Sequence, residues 1–203
     1  MIKSVIFDLD GTLLDTLKDL QESVSYAFEF YGFEGPSQKQ VREALGEGPY
    51  VLMQRLGAKN PEGFVETFKK HYKDNLSRYT KAYTGIPGLL DELEKRQITM
   101  SVLSNKPHEA LIKVCEIYFP ERFLDVLGSD AGFARKPNPD SLIYLIERMG
   151  KDSTEVLYVG DSSVDILTAK KARCKGLQVS WGYGDLVKDV PFITEPMDLL
   201  FHL

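Results

Sequence analysis

An apolar segment that ends in two carboxylates restricts the possible folds of this chain more than any other feature. Residues 2–7 have the character of a buried strand, and Asp8 and Asp10 follow at once, separated by Leu9. Side chains two positions apart on a strand point to the same side, so both carboxylates are expected to face one pocket. Because isolated buried carboxylates are costly, the pair either lies at the surface or is held by a positive charge.

Four more apolar segments have strand character, and helical patterns alternate with them along the chain. The predicted strands cover residues 98–103, 156–159, 176–181 and, more weakly, 124–127. The predicted helices among them cover residues 87–96, 107–118, 138–149 and 163–172. Short strands that alternate with helices predict an α/β fold, with a Rossmann-like parallel sheet flanked by helices.

Residues 15–80 break this alternation, because they contain helical patterns and no convincing strand. An apolar series at helical spacing starts at Leu17, a capping box at Ser37 opens a second helix, and patterns for two more helices cover residues 49–56 and 61–79. The sequence therefore predicts two domains. These are an α/β core of residues 1–14 and 81–203, and an inserted, small, all-helical cap domain of residues 15–80.

Polar side chains follow the other predicted strands as well. Ser104 and Asn105 follow one strand, Asp161 follows another, and Lys136 comes after the weakest. The carboxyl ends of parallel strands meet at one edge of the sheet, so the carboxylates are expected to lie close together. Like charges at close range need a cation, and carboxylate oxygens suit Mg²⁺. The histidine or thiolate ligands that zinc prefers are missing from this set.

Taken singly, most of these residues have simpler explanations. Ser104 and Asn105 could cap the following helix, and Lys136 could be a surface lysine. Asp165 could be an ordinary acidic residue in the first turn of a helix. Such explanations are weak for the two carboxylates of the opening segment, because both follow directly from a buried strand.

Taken together, four motifs resemble those of the haloacid dehalogenase superfamily of phosphatases. In chain order the motifs are Asp8-Leu-Asp10-Gly-Thr12, Ser104 with Asn105, Lys136, and Gly160-Asp161 with Asp165. The helical insertion after the first motif resembles the small cap of that family, and the resemblance covers the whole chain. Four further stretches resemble the phosphoglycolate phosphatases within the superfamily: Val41 to Gly48, Ser104 to Pro107, Arg135 to Asp140, and Trp181 to Gly184.

The resemblance implies a catalytic and a metal-binding set. Asp8 would be the nucleophile that attacks phosphorus, and Asp10 would be the general acid and base. Lys136 would be the third catalytic residue. Mg²⁺ would be bound by Asp8, by Asp10 through its backbone carbonyl, and by Asp161. Asp165 would act on the metal through water or through the residues that bind it.

The resemblance also implies a set of residues that bind the phosphate group. These are Gly11, Thr12, Ser104, Asn105 and Lys136. The Ser104 hydroxyl and the Lys136 ammonium would carry charge on the phosphoryl oxygens. Gly11 would supply a permissive backbone, and Thr12 a hydroxyl near the same edge of the sheet.

Substrate specificity is expected to come from the cap. The candidate residues are Arg42, Gly46, Glu47, Gly48 and Arg55. The stretch Gly46-Glu47-Gly48 is either a loop that faces the substrate or a turn between two helices, and the sequence leaves both interpretations open.

The expected function is Mg²⁺-dependent hydrolysis of a small phosphorylated metabolite, most simply phosphoglycolate, through an aspartyl-phosphate. A pyrophosphatase, a nucleotidase or a phosphomutase of the same family is an alternative, although residues 15–22 lack the histidine of the sugar phosphomutases. A phospho-accepting signalling domain or a non-catalytic binding domain is an alternative of a different class. Receiver domains have adjacent paired acids, however, and here every expected catalytic position is filled.

Charge and composition restrict the partners. The net charge is −5 and no basic stripe occurs, so nucleic acid is not expected as a partner. No apolar run is long enough to span a membrane, so no membrane partner is expected. Cys115 and Cys174 lie far apart and are interpreted as reduced thiols, which together with the lack of a signal peptide predicts the cytoplasm. The oligomeric state is left open by the sequence.

Overall fold

A six-stranded parallel sheet forms the centre of the computed structural model, which describes residues 1–203. Its strands are β1 (Ser4–Phe7), β4 (Thr99–Leu103), β5 (Val126–Leu127), β6 (Val156–Gly160), β7 (Lys175–Val179) and β8 (Phe192–Ile193). The spatial order is β5-β4-β1-β6-β7-β8, and every neighbouring pair is parallel. Two further strands, β2 (Leu14–Asp15) and β3 (Lys81–Ala82), form a separate antiparallel pair. The predicted α/β fold with a parallel sheet is confirmed.

Four α-helices alternate with the strands of the sheet, and four more lie between β2 and β3. The first set is α5 (Ile86–Lys95), α6 (His108–Tyr118), α7 (Asp140–Arg148) and α8 (Ser163–Lys171). The second set is α1 (Leu17–Phe30), α2 (Gln38–Ala44), α3 (Pro49–Arg55) and α4 (Pro61–Asn75). Two 3₁₀ helices cover Ser153–Glu155 and Pro196–His202. None of the helices combines the length and the apolar character that a membrane span requires.

Strand β1 is buried on both faces, which explains why its sequence is apolar instead of alternating. Val5 and Phe7 belong to the larger core cluster, which also contains the buried residues of α5 and α6. Ile6 belongs to a second cluster with the buried leucines of α7. A strand fixed at the centre of the sheet in this way places Asp8 at the carboxyl edge.

Several element boundaries differ from those that the sequence predicts. The weak strand at 124–127 is reduced to two residues, and the helix predicted at 61–79 ends at Asn75. The short strands β2, β3 and β8 have no counterpart in the prediction. Each has only two residues, which is too short to show an alternating pattern, so its position depends on the partner strand.

The pair β2–β3 joins the two chain segments that lead into and out of α1–α4. Leu14 lies opposite Ala82, and Asp15 lies opposite Lys81. We refer to α1–α4 as the helical segment. The assignment of residues 15–80 as a separate cap domain stays a prediction.

Asp19 of α1 holds the chain after α4, where it returns to the sheet. This carboxylate is 1% exposed and accepts hydrogen bonds from the backbone N–H groups of Tyr79 and Thr80, the latter at 2.8 Å. It also accepts one from the Thr80 hydroxyl at 2.6 Å. On the other side, the hydroxyl of Tyr118 in α6 donates to the Thr80 carbonyl at 2.7 Å. A single buried acid thus ties the chain at Tyr79 and Thr80 to α1.

We predict that Asp19→Ala lowers the free energy of unfolding by about 3 kcal/mol, because it leaves buried donors without an acceptor. Urea unfolding followed by circular dichroism measures this change. Asp74→Ala, an exposed acid on α4, is the control and should leave the midpoint unchanged. Equal midpoints for Asp19→Ala and the wild type would contradict the structural role given to Asp19.

Candidate active site

Side chains from several strand ends and from the helical segment line a cavity of about 1050 Å³. From the sheet side, the lining includes Asp8, Asp10, Ser104, Asn105, Lys106, Lys136 and Asp161. From the helical segment and its loops, it includes Arg42, Gly46, Glu47, Gly48, Arg55 and Tyr72. The carboxyl ends of the parallel strands therefore meet at one site, and most of the sequence-predicted residues lie in it. Gly11 and Thr12 do not line the cavity.

The Lys136 ammonium is buried among acceptors from three parts of the chain. Its Nζ lies 2.9 Å from Asp8 Oδ1, 2.7 Å from Asp165 Oδ1 and 2.9 Å from the Tyr158 hydroxyl. It also donates to the Leu103 carbonyl at 3.2 Å. Burial would lower the pKa of Lys136, but Asp165 and Asp8 raise it well above the usual value. The side chain is therefore a permanent positive charge beside Asp8.

Three buried carboxylates lie together at this edge, those of Asp8, Asp161 and Asp165, with one oxygen of each within 4.8 Å of the others. Burial raises the pKa of Asp8 to about 6 against the opposing effect of Lys136, and it raises the pKa of Asp161 to about 8. The cluster thus contains three carboxylates and one ammonium, which contacts Asp8 and Asp165. A divalent cation with oxygen ligands would compensate the remaining charge, so this donor set fits Mg²⁺.

The three carboxylates differ in how many of their oxygens are free. Both oxygens of Asp165 are engaged, Oδ1 by Lys136 and Oδ2 by the backbone N–H and hydroxyl of Ser162 at 3.1 and 2.6 Å. In Asp161, Oδ2 accepts from the backbone of Tyr183 at 2.6 Å, and Oδ1 accepts no hydrogen bond. Asp8 likewise keeps Oδ2 free. Asp8 and Asp161 are therefore suited to direct metal contact, and Asp165 to holding Lys136.

The Asp10 carboxylate lies outside this group of three. Its Oδ1 accepts hydrogen bonds from the Thr16 hydroxyl at 2.6 Å and from Lys106 Nζ at 2.8 Å. Burial would lower the pKa of Lys106, but Asp10 and Tyr72 raise it above the usual value, so Lys106 is an ammonium. The backbone carbonyl thus remains the part of Asp10 that is expected to bind metal, and the carboxylate is available for proton transfer.

Gly11 and Thr12 belong to the first motif, but neither lines the cavity. Gly11 has φ +85°, and a Cβ atom there would overlap the Asp161 carboxylate. Thr12 is 1% exposed, and its hydroxyl has no hydrogen-bond partner. The Thr12 carbonyl accepts from the indole N–H of Trp181 at 3.1 Å. Gly11 therefore matters because it leaves room for Asp161.

Asn105 connects the Lys136 loop to the helical segment. Its amide nitrogen donates to the Lys136 carbonyl at 3.0 Å and to the Gly46 carbonyl at 2.9 Å. Its amide oxygen accepts from the Lys136 backbone N–H at 2.9 Å. Ser104 is 3% exposed, and its hydroxyl oxygen accepts from the Lys106 backbone at 3.3 Å. The second motif thus positions the third, instead of only capping a helix.

The stretch Gly46-Glu47-Gly48 is both a turn between α2 and α3 and a part of the cavity wall. The Glu47 carbonyl accepts from Arg135 at 3.0 Å, and its carboxylate pairs with Arg55. Arg42 donates to backbone carbonyls of the loop after β7, at 3.1 and 3.3 Å. The interpretation as a turn between two helices is therefore correct, and the interpretation as a loop that faces the substrate stays a prediction.

Three polar residues of the site were not singled out by the sequence. Tyr158 lies within an apolar strand, and Tyr72 occurs at helical spacing in α4, so each has the pattern of an ordinary core aromatic residue. Lys106 stands next to the second motif, and its proximity to Ser104 and Asn105 is the one signal that could have identified it. Nothing in the sequence indicates that Lys106 and Tyr72 meet.

Comparison with known proteins agrees with this geometry. The family model of haloacid dehalogenase-like hydrolases matches residues 5–179. The phosphoglycolate phosphatase of Aquifex aeolicus is 33% identical over 98% of this chain and 95% of its own length. That of Vibrio parahaemolyticus is 35% identical, covering 90% and 85%. The solved structure of a predicted phosphoglycolate phosphatase from Haemophilus somnus has a TM-score of 0.91 and 27% identity, covering 99% of this chain and 97% of its own. These similarities confirm the resemblance carried by the four motifs.

We predict that Mg²⁺ stabilises the protein more at about pH 8 than at about pH 5, because metal binding requires ionised carboxylates. Without metal, the raised pKa values of Asp8 and Asp161 mean that the folded state binds more protons than the unfolded state above about pH 4. The free energy of unfolding of the metal-free protein should therefore fall as the pH rises from about 4 to about 8. Thermal unfolding with EDTA and with Mg²⁺, at several pH values, measures both effects.

The matched variant for this experiment is Asp161→Asn, which removes one of the two carboxylates with a raised pKa. It should weaken both the pH dependence without metal and the increase in Tm with Mg²⁺. An increase in Tm of the same size at both pH values in the wild-type protein would contradict a metal site built from these carboxylates.

Proposed function

The chain belongs to the haloacid dehalogenase-like hydrolase family, in which it is a phosphatase, and we propose that it hydrolyses a small phosphomonoester through a phosphoryl group carried on Asp8, with Mg²⁺ as its cofactor. The observation that supports this most is the Asp8 carboxylate, which lines the cavity and lies 2.9 Å from the permanent positive charge of Lys136. A carboxylate beside a fixed cation, with one oxygen free, is suited to attack a phosphate.

In the first half of the reaction, an Asp8 carboxylate oxygen forms a bond to phosphorus, and the bond from phosphorus to the leaving oxygen breaks. Asp10 donates a proton to that oxygen, so the substrate leaves as an alcohol. In the second half, water attacks the phosphorus, the bond to Asp8 breaks, and the proton of the water passes to Asp10. Both aspartates are then as they began, and inorganic phosphate is released.

Charge on the phosphoryl oxygens is the main obstacle in both halves, because an anion approaches an anion. Lys136 Nζ already faces Asp8 and would donate hydrogen bonds to the phosphoryl oxygens beside it. The Ser104 hydroxyl oxygen accepts from the backbone, which leaves its hydrogen to donate to the same group. Mg²⁺ bound by Asp8, Asp161 and the Asp10 carbonyl would supply further positive charge.

We propose 2-phosphoglycolate as the substrate, since relatives that are 33% and 35% identical over most of the chain are phosphoglycolate phosphatases. The cavity wall contributed by the helical segment contains Arg42, Arg55 and the Gly46–Gly48 stretch, which we propose as the specificity residues. A small metabolite as the substrate, together with two free cysteines, suits the cytoplasm as the location.

Phosphate release from a panel of substrates tests this proposal. With Mg²⁺, kcat/KM should be highest for 2-phosphoglycolate and lower for pyrophosphate, nucleoside monophosphates and sugar phosphates, and EDTA should abolish turnover. Asp8→Asn should lower kcat on the order of 10⁴-fold or more, because the nucleophile is lost. Absence of turnover with every substrate would contradict phosphatase activity, whereas preference for another phosphate ester would correct the substrate alone.

A second prediction separates Asp8 from Asp10. With acetyl phosphate, whose leaving group needs no proton, Asp10→Asn should still become phosphorylated on Asp8. It should then release phosphate about 10²–10⁴-fold more slowly than the wild type, because the attacking water lacks its base. Intact-protein mass spectrometry detects the adduct, and peptide mapping locates it. Asp8→Asn is the control and should form none, and an adduct on any other residue would contradict the assigned roles.

A further inference from the structure

The environment of Asp10 includes a buried contact between the sheet and the helical segment. Lys106, which follows β4, donates from Nζ to Asp10 Oδ1 at 2.8 Å and to the Tyr72 hydroxyl at 2.6 Å. The Lys106 side chain is 1% exposed, and Tyr72 is 2% exposed. The Lys106 ammonium also lies 4.7 Å from the centre of the Tyr72 ring. One lysine thus joins the proposed general acid to a side chain of α4.

These contacts leave one carboxylate oxygen of Asp10 free. Both the Thr16 hydroxyl and Lys106 Nζ donate to Oδ1, and Oδ2 accepts no hydrogen bond from the protein. The Asp10 side chain is 19% exposed and lines the cavity. An oxygen held by two donors fixes the plane of the carboxylate, so the free oxygen has a fixed position for proton transfer.

Other contacts of α4 with the sheet side are of a different kind. Lys69 pairs with Asp130 at 3.4 Å, and Lys73 pairs with Glu109 at 2.8 Å, with side chains that are about half exposed. Exposed pairs of this type contribute little to stability. Tyr72, by contrast, lies between these two lysines on α4 and reaches the catalytic cavity.

We propose that Lys106 and Tyr72 are positioning residues for Asp10, with Tyr72 acting through Lys106, an inference that rests on the proposed role of Asp10 as the general acid. When α4 is docked on the sheet side, the Tyr72 hydroxyl holds the Lys106 ammonium, and the ammonium holds the Asp10 carboxylate in the orientation for proton transfer. The helical segment thereby contributes to proton transfer as well as to substrate selection.

The dependence of kcat/KM on the leaving group tests this proposal. An alkyl phosphate needs a proton on its leaving oxygen, whereas p-nitrophenyl phosphate has a leaving group that needs little help. We therefore compare the most active alkyl phosphate of the substrate panel with p-nitrophenyl phosphate. Lys106→Met should lower the ratio of the two kcat/KM values on the order of 10-fold, a part of the 10²–10⁴ that general acid–base catalysis contributes.

Tyr72→Phe keeps the ring and removes only the hydroxyl, so it remains informative even if Lys106→Met fails to fold. It should lower the same ratio about threefold, the effect of one hydrogen bond. In the Lys106→Met background, Tyr72→Phe should have no further effect, because Tyr72 acts through Lys106. Additive losses in the double variant would show that Tyr72 acts by another route and would overturn that part of the proposal.

Two control variants remove comparable contacts away from Asp10. Tyr118→Phe removes a hydroxyl that donates to the Thr80 carbonyl at 2.7 Å. Lys73→Met, at the residue next to Tyr72, removes the ion pair with Glu109. Both should leave the ratio unchanged. A ratio that falls equally in the controls would mean that general loosening of α4, and no specific positioning, explains the effect.

Two further outcomes overturn the proposal in distinguishable ways. If Lys106→Met raises KM equally for both substrates and leaves the ratio unchanged, Lys106 binds substrate and does not position Asp10. If the wild-type protein hydrolyses no alkyl phosphate with Mg²⁺, the proposed function fails, and the role of Asp10 fails with it.

Discussion

The buried ammonium of Lys136 is the charge on which the geometry of the sheet edge depends. Parallel strands bring Asp8 from β1 and Asp161 from β6 to the same edge, and Asp165 follows on the first turn of α8. Three buried carboxylates repel one another, and burial already raises the pKa values of two of them. Lys136 offsets one negative charge and leaves the rest for a divalent cation. From charge balance alone, the arrangement is therefore suited to bind a divalent cation, which would in turn favour a phosphate group.

The rest of the site follows from keeping these groups in place within a small volume. A glycine is needed at position 11 because a Cβ atom there would overlap Asp161, and its positive φ lets the chain turn directly after Asp10. The Tyr158 hydroxyl and the Asp165 carboxylate also hold the Lys136 ammonium, at 2.9 and 2.7 Å. Because Asp165 has no free oxygen, it fixes the lysine instead of competing for the metal. Asp8 and Asp161, by contrast, each keep one carboxylate oxygen that accepts no hydrogen bond.

The parts of this structure that the sequence predicts are those with a local signal. The apolar strands and the helices of the sheet layer have clear periodicity, and Asp8, Asp10 and Asp161 stand directly after strands. The parts that it does not predict depend on contacts between distant residues. The pairing of β2 with β3 involves two residues on each side, and Asp19 meets Thr80 across 61 positions. The contact of Lys106 with Tyr72 spans 34 positions and joins a loop to a helix, so no pattern within either element indicates it.

Two of the contacts that dock the helical segment involve residues that also hold the proposed catalytic groups. Asn105 holds the backbone of Lys136 and, through the same amide nitrogen, the Gly46 carbonyl of the helical segment. Lys106 holds Asp10 on one side and Tyr72 on the other. The exposed ion pairs of α4 contribute little by comparison. Because coupling between two events is reciprocal, whatever favours docking of the helical segment also favours the ordered arrangement of Lys136 and Asp10. Substrate bound against both surfaces would therefore strengthen docking and order the catalytic groups in a single step.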